Sequence, residues 1–302
     1  MDKPIRVLSR CLGLNNFGDP STIKMDLSTG DYELSESLNV VIDNGRPGRR
    51  KGYTRKNASA FHSLYALKDC MVGVTGNALS IIHRDYTTTA IRNVTTGARV
   101  RYQQVGDKLY YVNGFEIGYV LNQLSYSWSA ATTYYGPTTQ RVFSDPPIGE
   151  LICLCKGRMY IAKGSYLWYS EPYAYNSFDF ARNFIDFGSD IQMVAASDDT
   201  LFVSTNEKVL ALSGGGPEDF EIKPVFSFPA IKGTEVPFDF VKFPIVDGLY
   251  GTGVIWVGTE GICVGGLKGF NTILTTKKVI IPDAKEGNAV IYKNHYIINL
   301  VN

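Results

Sequence analysis

The stretch Lys156-Gly157-Arg158-Met159-Tyr160-Ile161-Ala162-Lys163-Gly164, followed by Tyr166-Leu167-Trp168-Tyr169, decides the fold. A glycine turn opens it, an apolar run follows, a second glycine turn reverses the chain, and another apolar run returns. Short apolar and aromatic runs bounded by turn residues are strands rather than helices. The same unit recurs along the chain. It reads Lys68-Asp69-Cys70-Met71-Val72-Gly73-Val74-Thr75-Gly76, then Ala78-Leu79-Ser80-Ile81-Ile82. It returns as Gly106-Asp107-Lys108-Leu109-Tyr110-Tyr111-Val112-Asn113-Gly114, then Ile117-Gly118-Tyr119-Val120. Further copies are Asp199–Asn206 with Val209–Leu212, Gly251–Gly258 with Gly261–Val264, and Lys293–Leu300.

Equivalent positions are Met71, Leu109, Met159, Leu201, Val254 and His295. Their spacing of about 40–50 residues is that of the blades of a β-propeller. A small sheet of this kind cannot bury both faces alone, and radial stacking buries them. The fold class expected is therefore all-β, a β-propeller of five to six blades with an extended N-terminal segment. Residues 1–65 read as a docking or latching segment and residues 66–302 as the propeller. Two stacked β-sandwich domains are the rival architecture, since their strands also recur regularly. The uneven spacing places insertions near Thr132–Pro147 and Gly214–Phe240, both rich in turn formers. The last copy ends in a strand, which Ile5-Arg6-Val7-Leu8 could complete, latching the ring; a free arm is the other reading. Tyr32–Leu38 reads as a short helical turn, Asn39–Asp43 as a strand and Asn44-Gly45 as a hairpin turn.

Composition agrees with strands and turns. The 302 residues include 19 Tyr, 16 Phe, 30 Gly and 13 Pro, with only 5 Met. A net charge of +1 offers no global field for nucleic acid or membrane. No run of 18 apolar residues suggests a membrane span, and the first residues lack the apolar region of a secretory signal. The cysteines Cys11, Cys70, Cys153, Cys155 and Cys263 form no CxxC pair. They are expected as buried, reduced thiols, with Cys153 and Cys155 on one strand face. No cofactor and no metal site is expected.

Catalytic patterns are poor. His62, His83 and His295 are scattered, and neither HExxH nor GxSxG occurs. His295 occupies a repeat position otherwise apolar and is expected in or near the core. The paired carboxylates of glycosidase chemistry have no sequence signature here, and Asp198-Asp199 reads as an inter-strand turn. Gly214-Gly215-Gly216-Pro217 lacks the lysine and helix of a phosphate cradle. The aromatic run Tyr166–Tyr175 could stack sugars or bases, but packing or an interface is the favoured reading. The chain is expected not to be an enzyme.

The candidate site residues are basic: Arg46, Arg49, Arg50, Lys51, Arg55 and Lys56. Three readings stay open. They form a solvated charged hairpin, or dock on an acidic patch of a neighbouring subunit, or face DNA, whose phosphates Lys and Arg neutralise without reading sequence. The acidic residues Asp26, Asp31, Glu33, Glu36 and Asp43 would suit reciprocal pairing between copies in a head-to-tail ring.

The order of motifs carries a resemblance. Gly13-Leu14-Asn15-Asn16, Asp19-Pro20, Leu38–Asp43 and Gly45–Tyr53 are followed by Ala60-Phe61-His62-Ser63-Leu64-Tyr65. Further along come Gly157-Arg158-Met159-Tyr160, then Ser170-Glu171-Pro172, then Phe178–Phe187. Together they resemble propeller-bearing virion proteins of tailed phages, including tail nozzle or hub subunits and DNA-stabilising tail proteins of short-tailed phages. The resemblance is strong over Gly13–Tyr65 and Lys156–Val203 and weak elsewhere. It implies a structural subunit in a ring of copies, commonly six, around the channel through which DNA leaves. It also implies synthesis in a bacterial cytoplasm, a place in the virion tail or neck, and other tail or connector proteins as partners. Contact with DNA would be transient and non-specific. The chain is shorter than known nozzle subunits, which leaves nozzle, head-to-tail connector and tail tip open. A receptor- or glycan-binding tail protein is the alternative.

Overall fold

The structure, a computed structural model, describes residues 9–21, 23, 26, 28–52, 54–130 and 143–302. Near the start, β1 (Cys11–Leu14) pairs in parallel with β2 (Tyr32–Leu34), and β3 (Val40–Asp43) forms a hairpin with β4 (Arg46–Arg49). Five larger antiparallel sheets follow. The first contains β5 (His62–Ala66), β6 (Met71–Thr75), β7 (Ala78–Ile82) and β8 (Thr88–Asn93). The second contains β9 (Arg101–Val105), β10 (Lys108–Val112), β11 (Ile117–Leu121) and β12 (Leu124–Ser127). The third contains β13 (Leu151–Cys155), β14 (Arg158–Lys163), β15 (Tyr166–Glu171) and β16 (Ala174–Phe178), with β17 (Phe184–Asp186) also on β15. The fourth runs through β18 (Ile191–Ala196), β19 (Thr200–Thr205), β20 (Val209–Ser213) and β21 (Glu221–Phe226). The fifth runs through β22 (Val236–Asp239), β23 (Thr252–Gly258), β24 (Gly261–Gly265) and β25 (Asn271–Ile273). A two-stranded hairpin, β26 (Glu286–Tyr292) and β27 (His295–Val301), ends the chain.

Each sheet is a meander in chain order, and the first strands of successive sheets lie side by side. Thus β13 is flanked by β9 and β18, and β22 by β18 and β26. The sheets radiate from these inner strands, and the fold is a β-propeller. The recurring unit seen in the sequence is the central pair of strands in each sheet. The turn between β13 and β14 shows why the unit reverses so tightly. Lys156 and Gly157 both take positive φ, 46° and 71°, as a two-residue turn matching strand twist requires.

Alternation along the central strands supplies the packing. Leu109 and Tyr111 of β10 join the apolar cluster between the first and second sheets, whereas Tyr110 and Val112 join the one between the second and third. Met159 and Ile161 face the second sheet, while Tyr160 and Ala162 face the fourth. Leu201 and Val203 point one way and Phe202 the other, onto Trp256 of the fifth sheet with ring centroids 5.7 Å apart. A last cluster joins the fifth sheet to Ile291 and Tyr296 of the terminal hairpin. Side chains of period two can serve both neighbours only where each sheet stands between two others.

Several expectations change. Tyr32–Leu34 is a strand rather than a helical turn, because the backbone of β1 is available to it: Tyr32 N–H donates to the Arg10 carbonyl and Asn15 N–H to the Leu34 carbonyl. The propeller begins at His62, ahead of residue 66, since β5 is already paired with β6. Gly214–Phe240 is no plain insertion. It contains β21, an outer strand whose polar, Pro224-bearing sequence reads as loop, and the start of the fifth sheet. His295 is exposed, its Nδ1 at 2.7 Å from the Lys293 carbonyl in the β26–β27 turn, because no sheet of the described residues covers that side of the hairpin. Residues 131–142 of the other proposed insertion lie outside the described residues, as do Ile5–Leu8, the suggested latch.

The five cysteines are free and buried, and Cys153 and Cys155 share the cluster between the third and fourth sheets. Burial pushes the Cys155 thiol up to about 11 and the Cys263 thiol up to about 12. Both remain protonated and act as small apolar groups. Replacing Phe202, fully buried between the fourth and fifth sheets, by alanine is expected to cost about 3–5 kcal/mol. Urea denaturation of F202A against the native chain measures it.

Candidate functional site

Three features stand out: an axial cavity, an N-terminal strap across the ring, and an exposed basic hairpin. The cavity, about 1170 Å³, is walled by the inner strands of all five sheets and by the terminal hairpin. Its polar groups gather where the inner strands begin. Arg99 Nη2 pairs with Glu286 Oε1 at 2.8 Å, and its Nη1 donates to Asn288 Oδ1 at 2.5 Å and to the Gly287 carbonyl at 3.3 Å. Arg101 faces Glu235 at 4.0 Å, and Lys232 pairs with Glu150. Gly233 sits at this crossing with φ +89°, and a Cβ there would lie 2.5 Å from both the Arg101 guanidinium and the Gly287 carbonyl. Only glycine serves on both counts.

These pairs join the second sheet to the hairpin and to the fifth sheet, and the fifth sheet to the edge of the third. They span the cavity mouth with balanced charge. His62 stands in the wall, its imidazole pushed down by burial and then by the nearby Arg99 guanidinium. Among the described residues no group of three or more His, Cys, Asp or Glu is placed to hold a metal ion. Asp198 and Asp199 do lie between strands, and both are used structurally. Thr252 N–H donates to Asp198 Oδ2 and Lys268 N–H to Asp199 Oδ1, each at 2.9 Å, tying the fourth sheet to the fifth.

The strap is built by the Gly13-Leu14-Asn15-Asn16 motif. Asn16 N–H donates to the Lys278 carbonyl at 3.0 Å, and Ile280 N–H donates back to Asn16 Oδ1 at 2.8 Å. Glu33 accepts from Asn15 Nδ2 at 2.7 Å and from Lys278 Nζ at 2.9 Å. The partner segment links the fifth sheet to the terminal hairpin. Farther along, Asn57 Nδ2 donates to the Tyr86 carbonyl in the β7–β8 turn of the first sheet. Residues 9–57 thus reach from one side of the hairpin's sector to the other. Glu33 is engaged within its own chain, which corrects its assignment to pairing between copies.

The basic residues flank this strap. Arg46, Arg49, Arg50, Lys51, Arg55 and Lys56 are all exposed. Arg49, Arg50 and Lys51 line an open recess of about 440 Å³ with Asn39 and Gly52. Arg55 donates to the Asn57 and Ala58 carbonyls of its own loop. The sequence cluster therefore divides: Arg55 shapes its own loop, whereas Arg46 and Arg49 stand on β4 facing solvent.

A further exposed group was underweighted in the sequence. Tyr166 and Trp168 lie 5.4 Å apart with rings 27° from parallel, Phe184 packs on Tyr166 at 5.8 Å, and Phe180 on Trp168 at 6.0 Å. Tyr166, Phe180 and Phe184 are each exposed. Their i, i+2 placement on β15 was legible, but the pairing with β17 that adds Phe184 was not.

No family model matches the chain, and no curated protein matches it. Solved structures do resemble it. BBS1N, solved in complex with ARL6DN, has 12% identity and a TM-score of 0.49, covering 86% of this chain and 84% of that one. The N-terminal domain of Nup159 has 6% identity and a TM-score of 0.48, covering 80% and 72%. PorZ, a surface component of the type-IX secretion system of Porphyromonas gingivalis, has 12% identity and a TM-score of 0.45 over 76% of this chain. The chain spans 28% of PorZ and 29% of the extracellular domain of BT4673 from B. thetaiotaomicron.

Two predictions follow from this geometry. Hydrogen bonds from Asn15 and then Lys278 hold the Glu33 carboxyl below its ordinary value of 4.5. A lowered carboxyl stabilises fully above that value and loses its contribution as pH falls through the lowered one. The strap is therefore expected to loosen in acid below about pH 4.5, and Glu33→Gln to loosen it already at neutral pH. Hydrogen exchange of residues 274–285 reports both. Arg99→Met removes the tie to the hairpin and is expected to cost about 1–2 kcal/mol. Faster amide exchange across Glu286–Val301 is the readout.

Proposed function

We propose that the chain is a non-enzymatic structural subunit of a tailed-phage particle, one of a ring of copies around the path by which DNA leaves. The observation that carries this reading is the placement of the N-terminal motifs. The segment resembling tailed-phage virion proteins is the one that straps the propeller and presents the exposed basic hairpin β3–β4 beside it. A stiff disc with one charged projecting element suits repeated contact between neighbours. The exposed cations of the segment also suit weak, sequence-independent contact with phosphate, which salt screens. The particle's tail or neck is the expected location, with other tail or connector proteins as neighbours.

The propeller's own axis is not the DNA path in this reading. Ion pairs span its mouth, and its volume of about 1170 Å³ suits small molecules rather than a duplex. DNA would pass through the larger opening that the ring of copies encloses. A second reading, a receptor- or glycan-binding tail protein, is favoured by the exposed Tyr166, Phe180 and Phe184 gathered around the half-buried Trp168. Aromatic rings of this kind give large contact at low entropic cost.

The test replaces Arg49 and Arg50 by glutamate. Both positions are exposed, so the fold is expected to survive. Ring formation is expected to fail in light scattering, and particles carrying the variant to lack the subunit. Normal particles with a normal copy number would end the docking role. Specific binding of the free protein to host cells, lost on Trp168→Ala, would favour the second reading.

A further inference from the structure

On the third sheet, β15 pairs with β14 on one side and with β17 on the other. Directly opposed residues of antiparallel strands leave a sheet on the same face. Tyr166 thus shares its face with Lys163 of β14 and Asp186 of β17, and Trp168 shares it with Ile161 and Phe184. Tyr166 and Trp168 point the same way because they are two residues apart on one strand. The result is an aromatic row with a charged end. The Tyr166 and Trp168 rings lie 27° from parallel with centroids 5.4 Å apart, Phe184 packs on Tyr166 at 5.8 Å, and Phe180 packs on Trp168 at 6.0 Å. Tyr166, Phe180 and Phe184 are 40%, 42% and 39% exposed, whereas Trp168 is half-buried against the cluster shared with the second sheet. At the charged end, Gly188 N–H donates to Asp186 Oδ1 at 2.9 Å. That bond, then one from the Ser165 side chain and a smaller one from the Tyr166 side chain, hold the Asp186 carboxyl below the usual carboxylate range. Asp186 is an ionised, oriented acceptor tied to the Tyr166 ring, and the exposed Lys163 is a donor on the other side of that ring.

We propose that this row binds a neutral hexose unit of an oligosaccharide, stacked on Tyr166 beside Trp168 and hydrogen-bonded through its hydroxyls to Lys163 and Asp186. A pyranose has an apolar C–H face, which suits the negative face of an aromatic ring, and hydroxyls that both donate and accept. Lys163 only donates and ionised Asp186 only accepts, so the two match different hydroxyls of one sugar. Charge argues against a nucleic acid. The segment that forms the row and its borders, from Lys163 to Asp190, carries Glu171, Asp179, Asp186 and Asp190 against Lys163 and Arg182, which repels phosphate. Size argues against a protein. A stable protein interface takes about 800 Å² per partner, and the three exposed rings offer roughly 250 Å². The inference rests on the second reading above, that of a receptor- or glycan-binding protein, and is independent of the ring of copies.

A printed array of neutral and acidic oligosaccharides, probed with the native chain, tests it. Binding to neutral hexose oligosaccharides is expected, equally at low and high salt, with none to an oligothymidylate. Trp128 and Trp256 are buried, so titration with the best-bound oligosaccharide should shift the indole emission through Trp168. Tyr166→Ala, at an exposed position, should weaken binding about tenfold or more with unchanged circular dichroism. Asp186→Asn should weaken it several-fold, and Tyr166→Phe, which keeps the ring, should retain most of it. An array with no glycan bound, binding undiminished by Tyr166→Ala, or a preference for the oligothymidylate would each overturn the inference. Attachment of the free protein to host cells that survives Tyr166→Ala would overturn it and leave the second reading standing. Absence of both glycan and cell binding would end the two together.

Discussion

The constraint on which this molecule depends is that its sheets are apolar on both faces. Leu109 and Tyr111 need one neighbour, and Tyr110 and Val112 need another. The same holds for Met159 and Tyr160, and for Leu201 and Phe202. No single sheet can satisfy both demands, so each is stable only as a member of a radial stack. Burying apolar surface at each interface supplies the stabilisation. Polar groups such as Asp198 and Asp199, bonded to the backbone of the next sheet, set the angle between members.

A stack of this kind has two ends, and closing it is a separate problem. The molecule brings its ends together with polar contacts. Arg99 and Arg101 reach from the second sheet to Glu286 and Glu235 at the axis. At the periphery, Asn16 and Glu33 hold Lys278 and Ile280 on one side of the sector, and Asn57 holds Tyr86 on the other. Such contacts are geometrically specific, yet each is weak beside an apolar interface. The closing sector is therefore held less firmly than the apolar interfaces. The exposed Val290, Tyr292 and Ile297 lie there. The basic hairpin lies close by in the chain's course.

The sequence by itself determined the all-β class, the repeating unit and the turns. Glycines at Gly76, Gly157 and Gly164 mark reversals where φ is positive, and apolar runs between them alternate by two. That is local physics, and it is written in neighbouring residues. The burial of the five thiols was legible for the same reason, since each sits in or beside an apolar run. The outer strands were not legible. The polar sequence of β21, with Pro224, becomes a strand only because β20 offers an edge.

Tertiary structure alone decided which face of each strand meets which sheet, and where the ends of the ring meet. Arg99 and Glu286 are far apart in the chain, as are Asn16 and Ile280, and no periodicity connects them. It also turned His295 outward, at a position whose counterparts Leu109, Met159, Leu201 and Val254 are buried, because no sheet of the described residues stands on that side to cover it. Equivalent places in a repeat carry equivalent burial only while both neighbours are present, and among the described residues no sheet packs on that face of the terminal hairpin.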